Sequence, residues 1–193
     1  MVRSLHTAAV MQPAPRVISL LLVLVAACIP DPVITGHPPD AGAPPPDAGQ
    51  QPTGKTADEL TREWSGCMSL DNFNLANMAT AWGGLAASNG QACTSCHGSG
   101  LYGVYIDRDA TGMFNAISTM KAFLLVYFAA DVTNQKMIVN ESLFQAAASG
   151  QGSFQGHPPF DAKNNAGMTA LRSFYNVTLT RQQAKTCDPS RIP

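Results

Sequence analysis

A proline-rich repeat near the N-terminus limits how much of this chain can fold into a packed core. The pentapeptide Pro-Pro-Asp-Ala-Gly occurs twice within residues 37–49. Proline-rich chain favours the extended polyproline II conformation, which has no internal hydrogen bonds and cannot bury apolar surface. We therefore expect residues 28–55 to form a semi-rigid linker and residues 56–193 to form the folded domain.

Residues 1–27 have the pattern of a secretion signal. Two arginines precede an apolar run over residues 17–27, which is shorter than the roughly 20 apolar residues that a transmembrane helix needs. Small residues directly before Cys28 are typical of a bacterial lipoprotein, whose cysteine is acylated and becomes the mature N-terminus. This predicts a lipid anchor to a bacterial membrane, with the domain in the cell envelope and facing the periplasm or the exterior. An ordinary signal peptide cleaved before Cys28 is the alternative, and either Met1 or Met11 could be the start.

Charged residues are few and balanced in sign. They make up 13% of the chain, where about 25% is usual in soluble proteins. The formal net charge is -1, and the sequence has no run of lysines and arginines. A nucleic-acid-binding protein would carry a basic patch or stripe, so nucleic acid is excluded as a partner. The 45% of hydrophobic residues is enough to build a core in the folded domain.

Two cysteines and a histidine stand close together in the sequence Cys-Thr-Ser-Cys-His, at Cys93, Cys96 and His97. Two thiols on one short turn can form thioethers with both vinyl groups of a haem, and the imidazole of the next residue can reach the iron. Haem c is attached outside the cytoplasm, so the motif agrees with the secretion signal. We therefore predict one covalently bound haem c, held by both cysteines, with His97 as an iron ligand.

Two other uses of a Cys-x-x-Cys pair fit the sequence less well. A thioredoxin-like pair follows a strand and opens a helix, whereas residues 88–92 before Cys93 are not strand-like. A zinc site would need two more cysteines or histidines at close spacing, and the sequence has none. A non-haem binding protein of the cell envelope, with Cys93 and Cys96 merely joined in a disulfide, stays open as an alternative.

Cys67 and Cys187 remain, near the two ends of the predicted domain. In an oxidising compartment, two cysteines so far apart in sequence usually pair. We predict a disulfide between them, with two unrelated buried thiols as the alternative.

The remaining pattern predicts helices and loops. The sequence Thr-Ala-Asp-Glu at residues 56–59 resembles a capping box that opens a helix. Further helices are expected over residues 70–82, 113–130, 141–148 and 166–176, with loops over 89–112 and 150–165. Asn140 is a candidate helix cap. No strand pattern is convincing, so the predicted fold class is all-α, a small helical haem domain.

Residues 143–160 complete the pattern of a known family. A helix is followed by Gly150, Gly152 and Gly156, and then by the sequence His-Pro-Pro-Phe at residues 157–160. With the cysteine motif, this stretch resembles class I cytochrome c, in which a Gly-x-Gly-x-x-Met-Pro-x-Phe loop precedes the last helix. Here His157 takes the place of the methionine. The resemblance implies a six-coordinate iron bound by His97 and His157, and electron transfer with redox partner proteins.

Other assignments of the sixth position remain open. Met168 is the main rival of His157, followed by three further methionines, Met113, Met120 and Met137. An open position would instead suit a haem enzyme or a gas or redox sensor, for example one with peroxidase-like activity. Five aromatic residues could wall a haem or simply form core: Trp64, Trp82, Phe123, Tyr127 and Phe174. Arg108 and Lys121 could meet haem propionates, although solvated charges are the expected state.

Overall fold

The computed structural model describes residues 54–193, and the predicted leader and most of the predicted linker lie outside them. The described part is mostly helical, with one small antiparallel sheet. Its α-helices are α1 (Ala57–Cys67), α2 (Leu70–Leu75), α3 (Met78–Gly83), α4 (Thr94–His97), α5 (Ala110–Thr119), α6 (Lys121–Tyr127), α7 (Glu141–Ala148) and α8 (Ala166–Gln183). The strands are β1 (Phe128–Asp131) and β2 (Lys136–Val139). Short 3₁₀ turns cover Leu101–Gly103 and Gly152–Phe154.

Helix α1 begins with the predicted capping box. The Thr56 hydroxyl accepts a hydrogen bond from the Glu59 backbone N–H, and the Glu59 carboxylate accepts one from the Thr56 N–H. Leu60 and Trp64, one turn apart, are fully buried on the same face of the helix. The prediction of a helix start after Thr56 is confirmed, and the cap orients this apolar face toward the core.

The single helix predicted over residues 70–82 is wrong, because the chain breaks at Asn77. Asn77 adopts the left-handed conformation, with φ 57° and ψ 34°, which ends α2 and lets α3 start in a new direction. Asparagine tolerates this conformation better than most residues. Periodicity alone did not reveal the break, since apolar residues continue on both sides of it.

The helix predicted over residues 113–130 is also wrong in its extent. Met120 has φ -108° and ψ 107°, so the chain extends there and separates α5 from α6. Helix α5 starts earlier than predicted, because the Asp109 carboxylate caps it by accepting from the backbone N–H groups of Thr111 and Gly112.

The predicted helical character is confirmed, but the expectation of no strands is wrong, because the end of the same apolar run is a strand. Phe128 pairs with Val139 and Asp131 pairs with Lys136 in an antiparallel hairpin. The Asp131 carboxylate accepts hydrogen bonds from the backbone and side chain of Asn134, which is typical turn chemistry. A short apolar run has no clear period, so sequence alone did not separate this strand from the helix before it.

Helix α8 is the longest element and contacts α1, α2 and α3. The Asn165 side chain caps it by accepting a hydrogen bond from the Met168 N–H. The helix continues to Gln183, beyond the predicted end at residue 176. The Thr178 hydroxyl donates to the carbonyl of Phe174, so this polar group is satisfied inside the helix where it is buried.

A disulfide joins Cys67 to Cys187, the pair predicted from the sequence. It ties the end of α1 to the C-terminal tail. The same junction is held by a backbone hydrogen bond from Asp188 N–H to Gly66 carbonyl, and by Arg181, which donates to the Cys67 carbonyl. A side chain at Gly66 would lie 2.2 Å from the Asp188 carbonyl oxygen, so only glycine permits this close approach.

Within residues 54–193, no helix has both the length and the apolar character needed to cross a lipid bilayer.

Candidate functional site

The cysteine motif forms the short helical turn α4. Cys93 is the N-cap residue directly before this helix, and the His97 N–H donates to the Cys93 carbonyl at 3.1 Å. This turn is fixed to the preceding chain by the Cys93 N–H, which donates to the carbonyl of Leu85 at 3.0 Å. Cys93, Cys96 and His97 are all partly buried, and neither cysteine is joined in a disulfide. The turn therefore presents two free thiols and one imidazole from five consecutive residues.

The loop before this turn is tied to the loop that carries His157. Ala86 and Ala92 pair in a short antiparallel bridge, which closes the residues between them into a compact loop. From this loop the Ser88 N–H donates to the carbonyl of Pro159 at 2.8 Å. Two segments about 70 residues apart in sequence are therefore joined next to the cysteine turn.

His157 is held by its own loop. Its backbone N–H donates to the Phe154 carbonyl at 3.0 Å, which closes the turn before it. Its ring lies edge to face with Phe160, with 5.7 Å between ring centroids. Two prolines follow directly and restrict the backbone, so the loop holds the imidazole at a low cost in conformational entropy.

The two histidines of the domain face each other across the site. The ring centroids of His97 and His157 lie 6.2 Å apart, and the ring planes are inclined by 25°. They are 60 positions apart in sequence and come from different loops. The structure thus brings together the pair that the sequence singled out as candidate ligands.

Both imidazoles use the same ring nitrogen for a backbone contact. His97 Nδ1 lies 3.1 Å from the Leu101 carbonyl oxygen, and His157 Nδ1 lies 2.9 Å from the Pro158 carbonyl oxygen. A carbonyl oxygen can only accept a hydrogen bond, so each Nδ1 must carry the proton. In the neutral rings each Nε2 is then an unprotonated donor atom for a metal, and the backbone fixes the ring orientation.

Partial burial sets the protonation states at the cysteine turn. Removal from water lowers the pKa of His97, an effect that the Leu101 carbonyl partly offsets and that His157 reinforces. Burial likewise raises the pKa of the Cys93 thiol. At neutral pH the turn therefore presents a neutral imidazole and a protonated Cys93 thiol.

The separation of the two rings can be compared with what one metal ion requires. Bonds from a metal to imidazole nitrogen are about 2 Å long, so imidazoles on opposite sides of one ion have centroids about 6 Å apart. The observed 6.2 Å matches this spacing. Two thiols and two imidazoles are also the residue types that would hold a covalently attached haem and its iron.

The rival methionines occupy other environments. Three of them are completely buried in the apolar core: Met113, Met137 and Met168. Met168 lies in the first turn of α8, where it packs with the core cluster. Met120 is half exposed at the break between α5 and α6. Core packing accounts for the buried three, which is the usual role of methionine in such surroundings.

The aromatic and charged candidates mostly serve the fold. Four of the five aromatic residues are buried in the core: Trp64, Trp82, Tyr127 and Phe174. Phe123 is partly buried and lies close to Gly100, near the cysteine turn. Lys121 forms an ion pair with Asp58, and Arg108 donates from Nε to the Gly83 carbonyl at 3.2 Å. Both residues are exposed, as expected for solvated charges, and each also has a partner within the protein.

Sequence reasoning missed the segment that positions His97. Leu101 supplies the carbonyl for His97 Nδ1, and the Ile106 N–H donates to the His97 carbonyl at 3.1 Å. The Tyr127 hydroxyl donates to the Tyr105 carbonyl at 2.7 Å and braces the same segment from the core. Three glycines follow the histidine, at Gly98, Gly100 and Gly103. This spacing was the sequence signal that the chain turns tightly back toward His97.

Among residues 54–193, no three histidine, cysteine or acidic side chains converge into a ready-made ion site. Comparisons with known protein families, with characterised proteins and with solved structures found no match for this chain. The function of the site therefore has to be inferred from its own geometry.

Proposed function

We propose that this chain is a mono-haem c-type cytochrome that transfers electrons in the cell envelope. One observation carries the proposal: His97 and His157 face each other at a ring separation of 6.2 Å, each with Nδ1 bound to a backbone carbonyl. Two neighbouring imidazoles held in this tautomer would be able to ligate one haem iron. The cysteine turn beside them supplies the two thiols that covalent attachment requires.

Each residue has a separate role in this proposal. Cys93 and Cys96 would hold the haem through thioether bonds to its two vinyl groups. His97 and His157 ligate the iron through Nε2, and the carbonyls of Leu101 and Pro158 keep both rings in the required tautomer. When bound, the haem supplies an iron that gains and loses one electron. With both histidines bound to the iron, no coordination position would be left for a substrate, so the proposed role is electron transfer rather than catalysis.

The axial ligands also determine the expected reduction potential. Methionine as a ligand raises the potential of a cytochrome c haem. A protein with His157 in place of the family's methionine should therefore have a lower potential than its histidine–methionine relatives. This would suit a carrier that receives electrons from, or passes them to, partners of low potential.

The sequence of the first 55 residues supports the proposed location. Acylated Cys28 would anchor the chain to a bacterial membrane, and the proline-rich linker would hold the haem domain away from the bilayer surface. An anchored domain on a semi-rigid linker can reach several redox partner proteins in turn.

The visible absorption spectrum of the purified protein tests the proposed function. The protein should be produced with haem-attachment machinery and examined in the ferric and ferrous states. We expect a low-spin ferric spectrum without the weak long-wavelength band of an iron–methionine bond, and no binding of azide or carbon monoxide. A high-spin protein that binds these ligands readily would contradict the proposal and support the enzyme or sensor alternative. A protein without haem would support the non-haem alternative.

A further inference from the structure

One basic residue stands at the junction between the predicted linker and the folded domain. Lys55 is the sole lysine or arginine in the sequence from residue 17 to residue 61. An endoprotease that cleaves after basic residues therefore has one position to use between Cys28 and the domain. The bond that follows, Lys55–Thr56, lies directly before helix α1, which begins at Ala57. Hydrolysis of this bond would separate the folded domain from everything that precedes it.

The side chain of Gln135 holds both main-chain groups of Lys55. The Lys55 N–H donates to Gln135 Oε1 at 2.6 Å, and Gln135 Nε2 donates to the Lys55 carbonyl at 3.2 Å. The same Nε2 donates to the carbonyl of Val132 at 2.6 Å, which fixes the carboxamide on the turn between β1 and β2. A carboxamide has both an acceptor and donors, so it can pair with a main chain as a neighbouring strand would. We call this pairing of Gln135 with Lys55 the carboxamide clamp.

The backbone of Gln135 is strained where it forms the clamp. Its φ of 54° lies in the left-handed region, where glycine, asparagine and aspartate are the usual residues. Such a conformation persists when the surrounding contacts determine it. Turn chemistry alone would favour asparagine or glycine at this position. The longer side chain of glutamine, which reaches Lys55, accounts for the residue found here.

Two further contacts close the junction around the clamp. The Lys55 ammonium pairs with the Glu63 carboxylate. A Cβ at Gly54 would lie 2.6 Å from the Gln135 carboxamide, so a side chain there would push the carboxamide away. An endoprotease has to bind the basic side chain in a pocket and the adjoining main chain in an extended form. The clamp and the ion pair occupy both of these groups.

The first turn of α1 is arranged to survive cleavage. The Thr56 N–H donates to the Glu59 carboxylate at 2.7 Å. After hydrolysis the same nitrogen is a terminal ammonium, which can still donate to that carboxylate. Asp58 and Glu59 lie in the first turn, and their negative charges offset the new positive charge at the helix N-terminus. The released domain would therefore keep its first helix.

We propose that Lys55–Thr56 is a cleavage site at which an endoprotease specific for basic residues releases the folded domain, and that the carboxamide clamp controls access to it. In the reaction, water adds its hydroxyl to the Lys55 carbonyl carbon and a proton to the Thr56 nitrogen, and the amide bond breaks. Lys55 and Gln135 are exposed, so water competes for their hydrogen bonds and the junction opens from time to time. With the predicted lipid anchor, cleavage would transfer the domain from the membrane to solution.

Limited digestion with trypsin tests this inference. The full chain is digested as purified under native conditions, and mass spectrometry follows the product that begins at Thr56. Lys185–Thr186 is the same pair of residues elsewhere in the domain, so its cleavage in the same digest is the internal reference. The cleavage rate follows the population of the open junction when opening and closing are fast. We expect slow cleavage of the wild type at Lys55, and a product whose circular dichroism stays helical.

Gln135→Asn separates the clamp from the turn. Asparagine suits the left-handed backbone, so the hairpin should be retained, but its shorter side chain cannot hold both main-chain groups of Lys55. We expect cleavage at Lys55 to be about five-fold or more faster, through the loss of two hydrogen bonds, with no change at Lys185. Gly54→Ala should act in the same direction by displacing the carboxamide. Gln183→Asn makes the same change at the exposed end of α8 and should stay within about two-fold of wild type.

Three results would overturn the inference. Equal rates at Lys55 for wild type and Gln135→Asn would show that the clamp does not control access. Faster cleavage of Gln135→Asn at Lys185 as well would show that the whole domain had loosened. A product beginning at Thr56 that loses its helical signal would show that the released domain is not a stable unit. The digestion measures the polypeptide alone, so none of these results would affect the proposed haem function, and a chain without haem would leave this inference intact.

Discussion

At the scale of single residues, the interpretation of the site depends most on His157. The sequence offered two histidines in the folded domain and a loop resembling that of class I cytochrome c. The structure adds what the sequence could not supply, namely the 6.2 Å ring separation and the carbonyl partner of each Nδ1. These depend on contacts such as Ser88 to Pro159, which join loops far apart in the chain. No local pattern in a sequence encodes a contact of this kind.

Replacing His157 tests its role as a ligand. In the haem-bearing protein, His157→Ala should open one axial position, shift the ferric haem toward high spin and create affinity for azide. His157→Met should keep a low-spin haem and raise the reduction potential, because methionine is the weaker donor to ferric iron. Absorption spectra and potentiometry measure both effects.

Met168→Leu is the matched control for these variants. It should alter core packing by no more than about 1.5 kcal/mol and leave the spin state unchanged. A His157→Ala protein that stays low-spin would show that another residue ligates the iron, and a high-spin Met168→Leu protein would identify that residue.

At the scale of secondary structure, the sequence predicted helix starts better than helix ends. Thr56 and Asn165 cap α1 and α8 through side-chain oxygens, and such caps leave a readable local signature. The breaks at Asn77 and Met120 left none, because they depend on how the next element packs. The hairpin was missed for the same reason, since its apolar strand continues directly from α6.

The disulfide between Cys67 and Cys187 should be the largest single covalent contribution to stability. It closes a loop across 120 positions, which corresponds to about 4–5 kcal/mol in the chain-entropy account. A Cys67→Ser/Cys187→Ser double variant should lose most of that free energy of unfolding in urea titrations and still attach haem. An unchanged urea midpoint would contradict this role for the crosslink.

The ion pair between α1 and α6 should give the domain a component of acid sensitivity. Hydrogen bonds from Lys121 and then from Arg62 hold the pKa of Asp58 below its ordinary value of 3.8. The charged carboxylate therefore stabilises the folded state above that value, and this contribution is lost as pH falls through the lower folded pKa.

Asp58→Asn tests this contribution to stability. The variant should be less stable than wild type at pH 6 and should approach wild type in strong acid, below the lowered pKa of Asp58, where its carboxyl is protonated. The group is exposed, so the difference at pH 6 should be small. Urea titrations at both pH values measure it. A stability difference that is the same at both pH values would show that the charge of Asp58 is not responsible.

At the scale of the whole molecule, the candidate site and most of the charged residues occupy different parts of the chain. The uncharged segments 72–106 and 142–160 form the site, whereas the ion pairs and the disulfide brace α1, α8 and the tail. The ion pairs and the disulfide thus brace the frame, whereas the two segments that carry the candidate ligands contribute no charged side chain. The proposed function depends on one claim, that the cysteine turn holds a haem.

Covalent attachment of haem is the most direct test of that claim. Wild-type protein produced with haem-attachment machinery is extracted with acidified acetone, and the haem that stays with the polypeptide is measured as its pyridine haemochrome. We expect one haem per chain to resist extraction, and a Cys93→Ala/Cys96→Ala variant to retain none. Haem that extracts freely from the wild type, or a wild type that contains no haem, would contradict the account.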